Sequence, residues 1–476
     1  MKRGLSGCVA IAMLLTGCGG DGTGTIASSG SSSSASTGTA GSSLRERQNW
    51  VAAQVREWYL FPDTLPTSLD PSGYTTVDAY LDALTATARA QGKDRYFSYL
   101  TSIAQENAYN SSGATAGFGI RLSLDTSAGA RLYVTEAFEG GPAFAAGIDR
   151  GAEITAIGTS SSALTSVTDL YAQGNDALNT ALGPSTAGTT RYLQIRDASG
   201  TRVVAVTKAD FNLAAVSPRY GAQIISDAGQ QYGYINLRTF ISAADQSLRD
   251  AFARFRAAGI TQVVIDFRYN GGGALSTAEL MGDLLGANRS TSEVFDYVTF
   301  RPEKSSENTT RFFQPQPQSI APTRLAFIGT GSTASASELV INAMIPYLHA
   351  NVGLIGTNTY GKPVGQIALD RSQCDDRLRL IALALQNANR QGGYYTGLAG
   401  TVEASCRAGD DIRYPMGDPR EASTRAALDF LQGKSCTPIT ASANTGVSAQ
   451  AAGGRMSLTP SAGDASPAQR DVPGLF

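Results

Sequence analysis

The chain has 476 residues, enough for about three domains at ~150 residues each. Thirty-eight basic and 40 acidic residues leave a net charge of −2. With no basic excess to neutralise phosphates, a nucleic-acid partner is not expected. Only one His is present, His349. That excludes multi-His metal sites and leaves a Ser–His–Asp arrangement a single candidate base.

The N-terminus reads as an address. Lys2 and Arg3 precede the apolar run Val9–Leu15, which is short for a membrane span. Leu15-Thr16-Gly17-Cys18 follows and resembles the bacterial lipoprotein signal, whose cleavage leaves the Cys N-terminal and lipid-modified. Without that resemblance, residues 1–18 read as a plain secretory signal. Gly19 after Cys18, rather than Asp, resembles lipoproteins sent to the outer membrane of a two-membrane cell. The expected location is therefore the cell envelope, on the periplasmic face of the outer membrane, with Cys18 as the lipid site. Residues 19–43 are nearly all Gly, Ser, Thr and Ala and read as a flexible tether with a span of roughly 25–30 Å.

Of five Cys, Cys8 falls in the signal and Cys18 at the lipid site. Cys374, Cys406 and Cys436 remain, so one disulfide and one thiol is the simplest expectation for an oxidising compartment. Sequence does not choose the pair; the reading leans to Cys374–Cys406.

Residues 44–112 read as a small helical N-terminal domain. Trp50, Val51, Gln54, Val55, Trp58 and Tyr59 share one helical face before Pro62 and Pro66, and a second helix runs from Val77 to Ala90. Residues 113–212 read as a β-rich domain. Gly117-Phe118-Gly119-Ile120 leads into an alternating strand, and Gly141-Pro142-Ala143 to Gly147-Ile148 is a short helix between glycines. This pattern resembles a PDZ domain, although Gly151-Ala152-Glu153 stands where Gly-Asp is usual; without the resemblance it is a generic small β domain. The resemblance implies that Gly117, Phe118, Gly119 and Ile120 hold the end of a peptide added as a strand. From 213 to 436 strands and helices alternate, which argues an α/β layered core. Residues 437–476 carry no sustained periodicity and read as a disordered tail.

Two places in the core suit chemistry. Gly271–Gly273 follows the strand Val263–Ile265, where closely approaching backbone N–H groups could form an oxyanion hole or merely a tight turn. Thr333-Ala334-Ser335-Ala336-Ser337-Glu338 opens a helix, where the hydroxyls could be a nucleophile or ordinary N-caps. Farther on, Tyr360-Gly361-Lys362-Pro363-Val364-Gly365-Gln366 offers one Lys among neutral neighbours.

Together these three motifs, in this order behind a PDZ-like segment, resemble the tail-specific, or C-terminal processing, serine proteases. The resemblance covers about 45–436 and implies a crotonase-like α/β core with an inserted PDZ domain and a helical cap. It implies Ser335 as nucleophile, Lys362 as base and Gln366 orienting that Lys, with backbone N–H groups of Gly272 and Ala336 as the oxyanion hole. The departures are Thr333 in place of Ser, Pro363 in place of Gly, and a Ser335–Lys362 spacing of 27, two more than the family's common form. Counted from Ser337 the spacing would match, so Ser337 stays open beside Ser335, which the local motif favours. The additional residues fit a loop around 347–353.

A solvated Lys is neutral at pH 7 only about once in 2,500, a cost of about 4–5 kcal/mol. Lys362 must therefore be desolvated to act as a base. No carboxylate adjoins it in sequence. The expected activity is that of a lipid-anchored Ser–Lys endopeptidase acting on proteins through their C-terminal tails, needing no metal or cofactor, with His349 incidental. The competing expectation is an inactive PDZ-containing scaffold lipoprotein. A small-molecule acyl hydrolase could use the same Ser–Lys pair but would have no need of a peptide-capturing domain.

Overall fold

The computed structural model describes residues 43–440, 455–460 and 465–476. The signal, Cys18 and the tether to residue 42 lie outside the described residues. Among the described residues no helix is long and apolar enough to cross a membrane.

The helix Leu44–Trp58 starts at a capping box in which Ser43 and Glu46 satisfy each other's backbone N–H groups. It packs on the helix Val77–Ala90, which Thr76 caps. Val51, Val55, Tyr80, Leu81 and Leu84 close a core against Leu378, Leu380 and Ile381 of the strand Asp376–Gln386. The same strand pairs with Tyr99–Ser102, Val294–Phe300 and Val364–Arg371 in an antiparallel sheet. Its hydrophobic pattern alone does not distinguish this sheet from the parallel one. The turn at Ser372–Asp375 decides it by returning the chain antiparallel to Val364–Arg371.

Six strands between residues 120 and 207, with Arg455–Ser457 added at one edge, form a seven-stranded antiparallel sheet. Phe118, Ile120, Leu122, Val134, Ile154, Leu178, Leu182 and Leu193 fill its core. The strands Ala114–Gly117 and Ala209–Asn212 pair as a two-stranded stalk at its entry and exit.

The remaining sheet has six strands in the order 223–227, 230–236, 262–266, 324–329, 352–356 and 404–407. All pairings after the first hairpin are parallel. Alternate side chains serve opposite faces. Val263 and Ile265 pack with Leu248, Phe252 and Leu339 of the helices Asp245–Ala257 and Ala336–Leu348, while Val264 packs with Leu428 and Leu431 of Ala422–Leu431. Strands 262–266, 324–329 and 352–356 each deliver one of the three sequence motifs from their carboxyl ends.

Two expectations are corrected. The disulfide joins Cys406 to Cys436, with Cα atoms 5.4 Å apart, and not Cys374 to Cys406. Cys374 ends the turn of the 364–386 hairpin in the other sheet, whereas Cys406 lies on the edge strand Ala404–Arg407, where Arg407 N–H donates to the carbonyl of Thr437. The end of the chain is not wholly without structure either. Arg455–Ser457 is a strand and Pro467–Asp471 a short helix, and Ala468, Val472, Leu475 and Phe476 are buried. These isolated apolar residues have no local period and find their partners only in other elements.

The disulfide closes a separation of 30 residues. Its removal by Cys436→Ser is expected to cost about 3–4 kcal/mol in urea unfolding. Non-reducing peptide mapping should link Cys406 to Cys436 and leave Cys374 out.

Candidate active site

Ser335 stands immediately before the helix Ala336–Leu348, with φ +55° and ψ −115°. A positive φ is strained for a residue with a side chain. The surroundings hold it there. Its N–H donates to Glu338 Oε2 at 3.0 Å, and its carbonyl accepts from Leu339 N–H at 2.8 Å. Gly272, at φ +115°, presses so closely that a Cβ on it would lie 2.7 Å from Ser335 Cβ and 3.1 Å from Ala336 N. Only glycine fits. The Gly271–Gly273 loop and the Thr333–Glu338 motif are therefore in direct contact. Ala336 is the first residue of the helix, whose leading N–H groups lack intrahelical partners.

The two candidate hydroxyls part company. Ser337 is fully buried and its Oγ donates to the carbonyl of Asn270 at 3.1 Å. Ser335 is half-buried. Thr333 Oγ1 donates to the Phe267 carbonyl at 2.7 Å, a bond that a serine could equally make. The stretch 347–353 carries a turn of 3-10 helix, His349–Asn351, after the long helix ends. His349 itself is exposed and meets Glu403 at 2.9 Å.

Lys362 lies between strands 352–356 and 364–371. Its Nζ donates to Gln366 Oε1 at 3.2 Å and sits 4.9 Å from the centre of the Phe97 ring. Gln366 donates through Nε2 to the Phe97 carbonyl, which fixes its oxygen toward the Lys. No hydrogen bond joins Nζ to the Ser335 hydroxyl in this conformation. Desolvation pushes the Lys362 pKa down to about 8, against the opposing charges of Asp471, Asp94 and Glu338. At that value roughly one molecule in ten is neutral at pH 7. The chain around Lys362 is neutral, as its sequence says, but the fold brings those three carboxylates toward it.

In the glycine loop the N–H of Gly272 donates to Asn270 Oδ1 at 2.9 Å. Donation to another oxygen requires that bond to be given up. Its neighbour Gly271 donates to the carbonyl of Asp471 at 2.8 Å and so already holds a peptide oxygen. Beneath the loop, Arg268 is fully buried among Asp266, Asp410 and Glu421, with contacts of 2.8–3.0 Å, which anchors the turn.

Gly117, Phe118, Gly119 and Ile120 form the entry to the strand Ile120–Asp125 of the seven-stranded sheet. The N–H groups of Gly119 and Ile120 donate to the Phe476 carbonyl at 3.0 and 3.2 Å. Phe118 turns its ring into the domain core, where Lys208 Nζ stands 4.6 Å from the ring centre.

Residues 231–394 match the family model of peptidase family S41, and residues 46–99 match that of the peptidase S41 N-terminal domain. The chain carries peptidase S41 family domains. It is 28% identical over 267 residues to a chloroplastic C-terminal processing peptidase of Tetradesmus obliquus, covering 55% of this chain and 54% of that protein. It is 28% identical over 254 residues to carboxyl-terminal-processing peptidase 2 of Arabidopsis thaliana, also chloroplastic, covering 52% and 46%. The chain thus spans about half the length of the curated relatives it matches. A crystal structure from Bacteroides fragilis, of a protein assigned to the S41 proteases, shares the fold. Its TM-score is 0.63 at 23% identity, over 81% of this chain and 97% of that one.

The residue whose part the sequence does not reveal is Glu338. It is fully buried, and its carboxylate accepts from Ser335 N–H, from Gly361 N–H at 2.7 Å and from Lys362 N–H at 2.7 Å. Burial pushes its pKa up while those hydrogen bonds oppose the rise. The Ser335-x-x-Glu338 spacing is that of a capping box and gave half the signal. The bonds to residues 361 and 362 leave no local trace. Glu338→Gln keeps the shape but replaces one acceptor oxygen with a donor. It should lower stability by about 1–3 kcal/mol in thermal or urea unfolding. Ser337→Ala removes one buried hydroxyl and should cost about 1 kcal/mol.

Proposed function

We propose that this chain is a serine endopeptidase of the cell envelope, lipid-anchored through Cys18, in which Ser335 and Lys362 cut polypeptides whose C-terminal tails lie in a PDZ-like groove headed by Gly117, Phe118, Gly119 and Ile120. The α/β layers would then form a crotonase-like core carrying the inserted β domain. One observation carries the reading. A buried carboxylate, Glu338, binds the backbones of both Ser335 and Lys362, while the Lys362 ammonium is withdrawn from water onto Gln366. A surface Lys and an ordinary N-cap Ser have no reason to share such a support. The matches to the peptidase S41 family models point the same way.

In the proposed reaction neutral Lys362 takes the Ser335 hydroxyl proton as Oγ attacks the scissile carbonyl. Backbone N–H groups of Ala336 and the Gly271–Gly272 loop receive the tetrahedral oxyanion. The protonated Lys returns its proton to the leaving amine. Water then attacks the acyl-enzyme, giving its proton to Lys362, and the proton passes back to Ser335 on release of the acid. His349 is not used.

The test is digestion of an unfolded model protein with an apolar C-terminus. Ser335→Ala and Lys362→Ala should each lower kcat/KM by at least about 10³-fold, while Ser337→Ala should retain cutting. Loss in Ser337→Ala with retention in Ser335→Ala would move the nucleophile by two residues. No cutting by the unaltered chain, with or without its C-terminal segment, would overturn the reading.

The base works only when deprotonated, and its pKa is lowered to about 8. Acylation of Ser335 by an electrophilic probe should therefore rise with pH tenfold per unit and level off above a midpoint near 8. A flat profile from pH 6 to 9 would remove Lys362 from the role of base.

A further inference from the structure

The segment 466–476 occupies two places at once. At its end it behaves as a bound peptide. Phe476 accepts from Gly119 and Ile120 and returns its own N–H to the Ile120 carbonyl at 2.9 Å, and the Gly474 carbonyl accepts from Leu122 N–H at 2.8 Å. This is antiparallel strand addition on the edge of Ile120–Asp125. The Phe476 side chain is buried in the same cluster as Ile120, Leu122, Leu178 and Leu182. Gly117 gives it room, since a Cβ there would come within 2.8 Å of the Phe476 carbonyl carbon.

Five residues upstream the same segment lies across the catalytic residues. Gly271 N–H holds the Asp471 carbonyl, and a Cβ on Gly271 would meet Asp471 O at 2.9 Å and Arg470 O at 3.1 Å. The Asp471 carboxyl lies within electrostatic reach of Lys362 and favours its charged form, the form unable to act as a base. Between the two ends Arg121 Nη1 donates to the Pro473 carbonyl at 2.6 Å and to the Tyr269 carbonyl at 3.1 Å. Val472 and Leu475 are buried in the core beneath the catalytic loops. Gln469 Nε2 donates to the Leu475 carbonyl at 2.9 Å and holds the turn together.

The bond after Asp471 is not presented for cutting. Val472 N–H closes onto the Ala468 carbonyl at 2.8 Å, so this peptide is wound as the end of a helix rather than laid out extended. Attack needs the reacting atoms aligned, and this geometry withholds that alignment.

We propose that segment 466–476 is a built-in plug of the peptide groove and the catalytic site, and that a substrate segment carrying a large apolar side chain in the place of Phe476 must displace it to be cut. The inference deepens the peptidase reading and rests on it for the word cut, but the plug itself is a matter of binding. A tethered occupant meets its groove at an effective concentration of mM order, so a free peptide must compete against it.

The plug is tested by binding in Ser335→Ala chains, which removes turnover from the measurement. A fluorescent peptide with the sequence of residues 466–476 and a free carboxylate is titrated into the otherwise unaltered chain and into Leu475→Asp/Phe476→Asp. Binding at least ~10-fold tighter to the doubly substituted chain is expected. Equal binding to both, or binding to neither, overturns the plug. An amidated peptide that binds equally well would place recognition on the apolar side chain and strand pairing alone, within the proposal. Should the double variant not fold, as read by thermal unfolding, hydrogen exchange of the unaltered chain decides. Amides of 468–476 should be protected and lose protection when peptide is added at mM concentration. Free exchange before addition, or no change after it, overturns the plug.

Cutting separates the two readings. With Ser335 present, Leu475→Asp/Phe476→Asp should digest an unfolded model protein at least ~10-fold faster than the unaltered chain. If the binding result holds but no chain cuts, the peptidase reading falls and the plug stands. If both chains cut alike and bind peptide alike, the plug falls and the peptidase stands.

Discussion

The arrangement depends on one buried carboxylate. Ser335 and Lys362 belong to loops that follow different strands, 324–329 and 352–356, and they are 27 residues apart. Glu338 accepts N–H groups from both loops, and Tyr360 N–H adds a bond to the Thr333 carbonyl at 2.9 Å. Burying a carboxylate in apolar surroundings is costly unless its oxygens are satisfied. Here three backbone donors do so, and in return the carboxylate fixes their positions. The strained φ of Ser335 persists because its N–H is spoken for and Gly272 closes the space beside it.

The sheet puts these loops at one edge. Strands 262–266, 324–329 and 352–356 are parallel neighbours, so their carboxyl ends open to the same side. The glycine loop, the Ser335 turn and the Lys362 loop follow those ends in chain order. Binding sites outside the carboxyl ends of parallel strands are a general consequence of such sheets. The second sheet supplies the wall on which Lys362 rests, since Val364–Arg371 carries Gln366 and pairs with the long strand Asp376–Gln386. The helical cap contributes more than cover. Phe97 lies just after it, sets the Gln366 amide by its carbonyl and shields Lys362 with its ring.

Charge is handled by the same economy of burial. Arg121 and Arg238 are almost wholly inaccessible and both pair with the equally buried Glu136, joining the β domain to the parallel core. Removing one partner from such a group leaves a buried charge uncompensated, so the set acts as a unit. Arg121 also reaches the Tyr269 carbonyl, one residue before the Asn270 that holds both Gly272 and Ser337. The β domain is therefore hydrogen-bonded to the turn that shapes the Gly271–Gly273 loop.

The sequence by itself determined what is local. Apolar spacing made the helix Val77–Ala90 and the strand before the glycines legible, because a helix face or strand face is a periodic statement about neighbouring residues. The three motifs, read together, singled out Ser335, Lys362 and Gln366 as candidates, because each motif is a short run whose chemistry would be carried by its own residues. The tertiary structure decided what depends on distant partners. It separated Ser335 from Ser337 by giving the second hydroxyl to Asn270. It paired Cys406 with Cys436 across 30 residues, made Glu338 a support for two loops and brought Asp471 toward Lys362. Residues 466–476 carry too few apolar side chains to order themselves, so their sequence reads as disorder. Ala468, Val472, Leu475 and Phe476 become buried only against residues distant in sequence, the first three in the parallel core and Phe476 in the β domain.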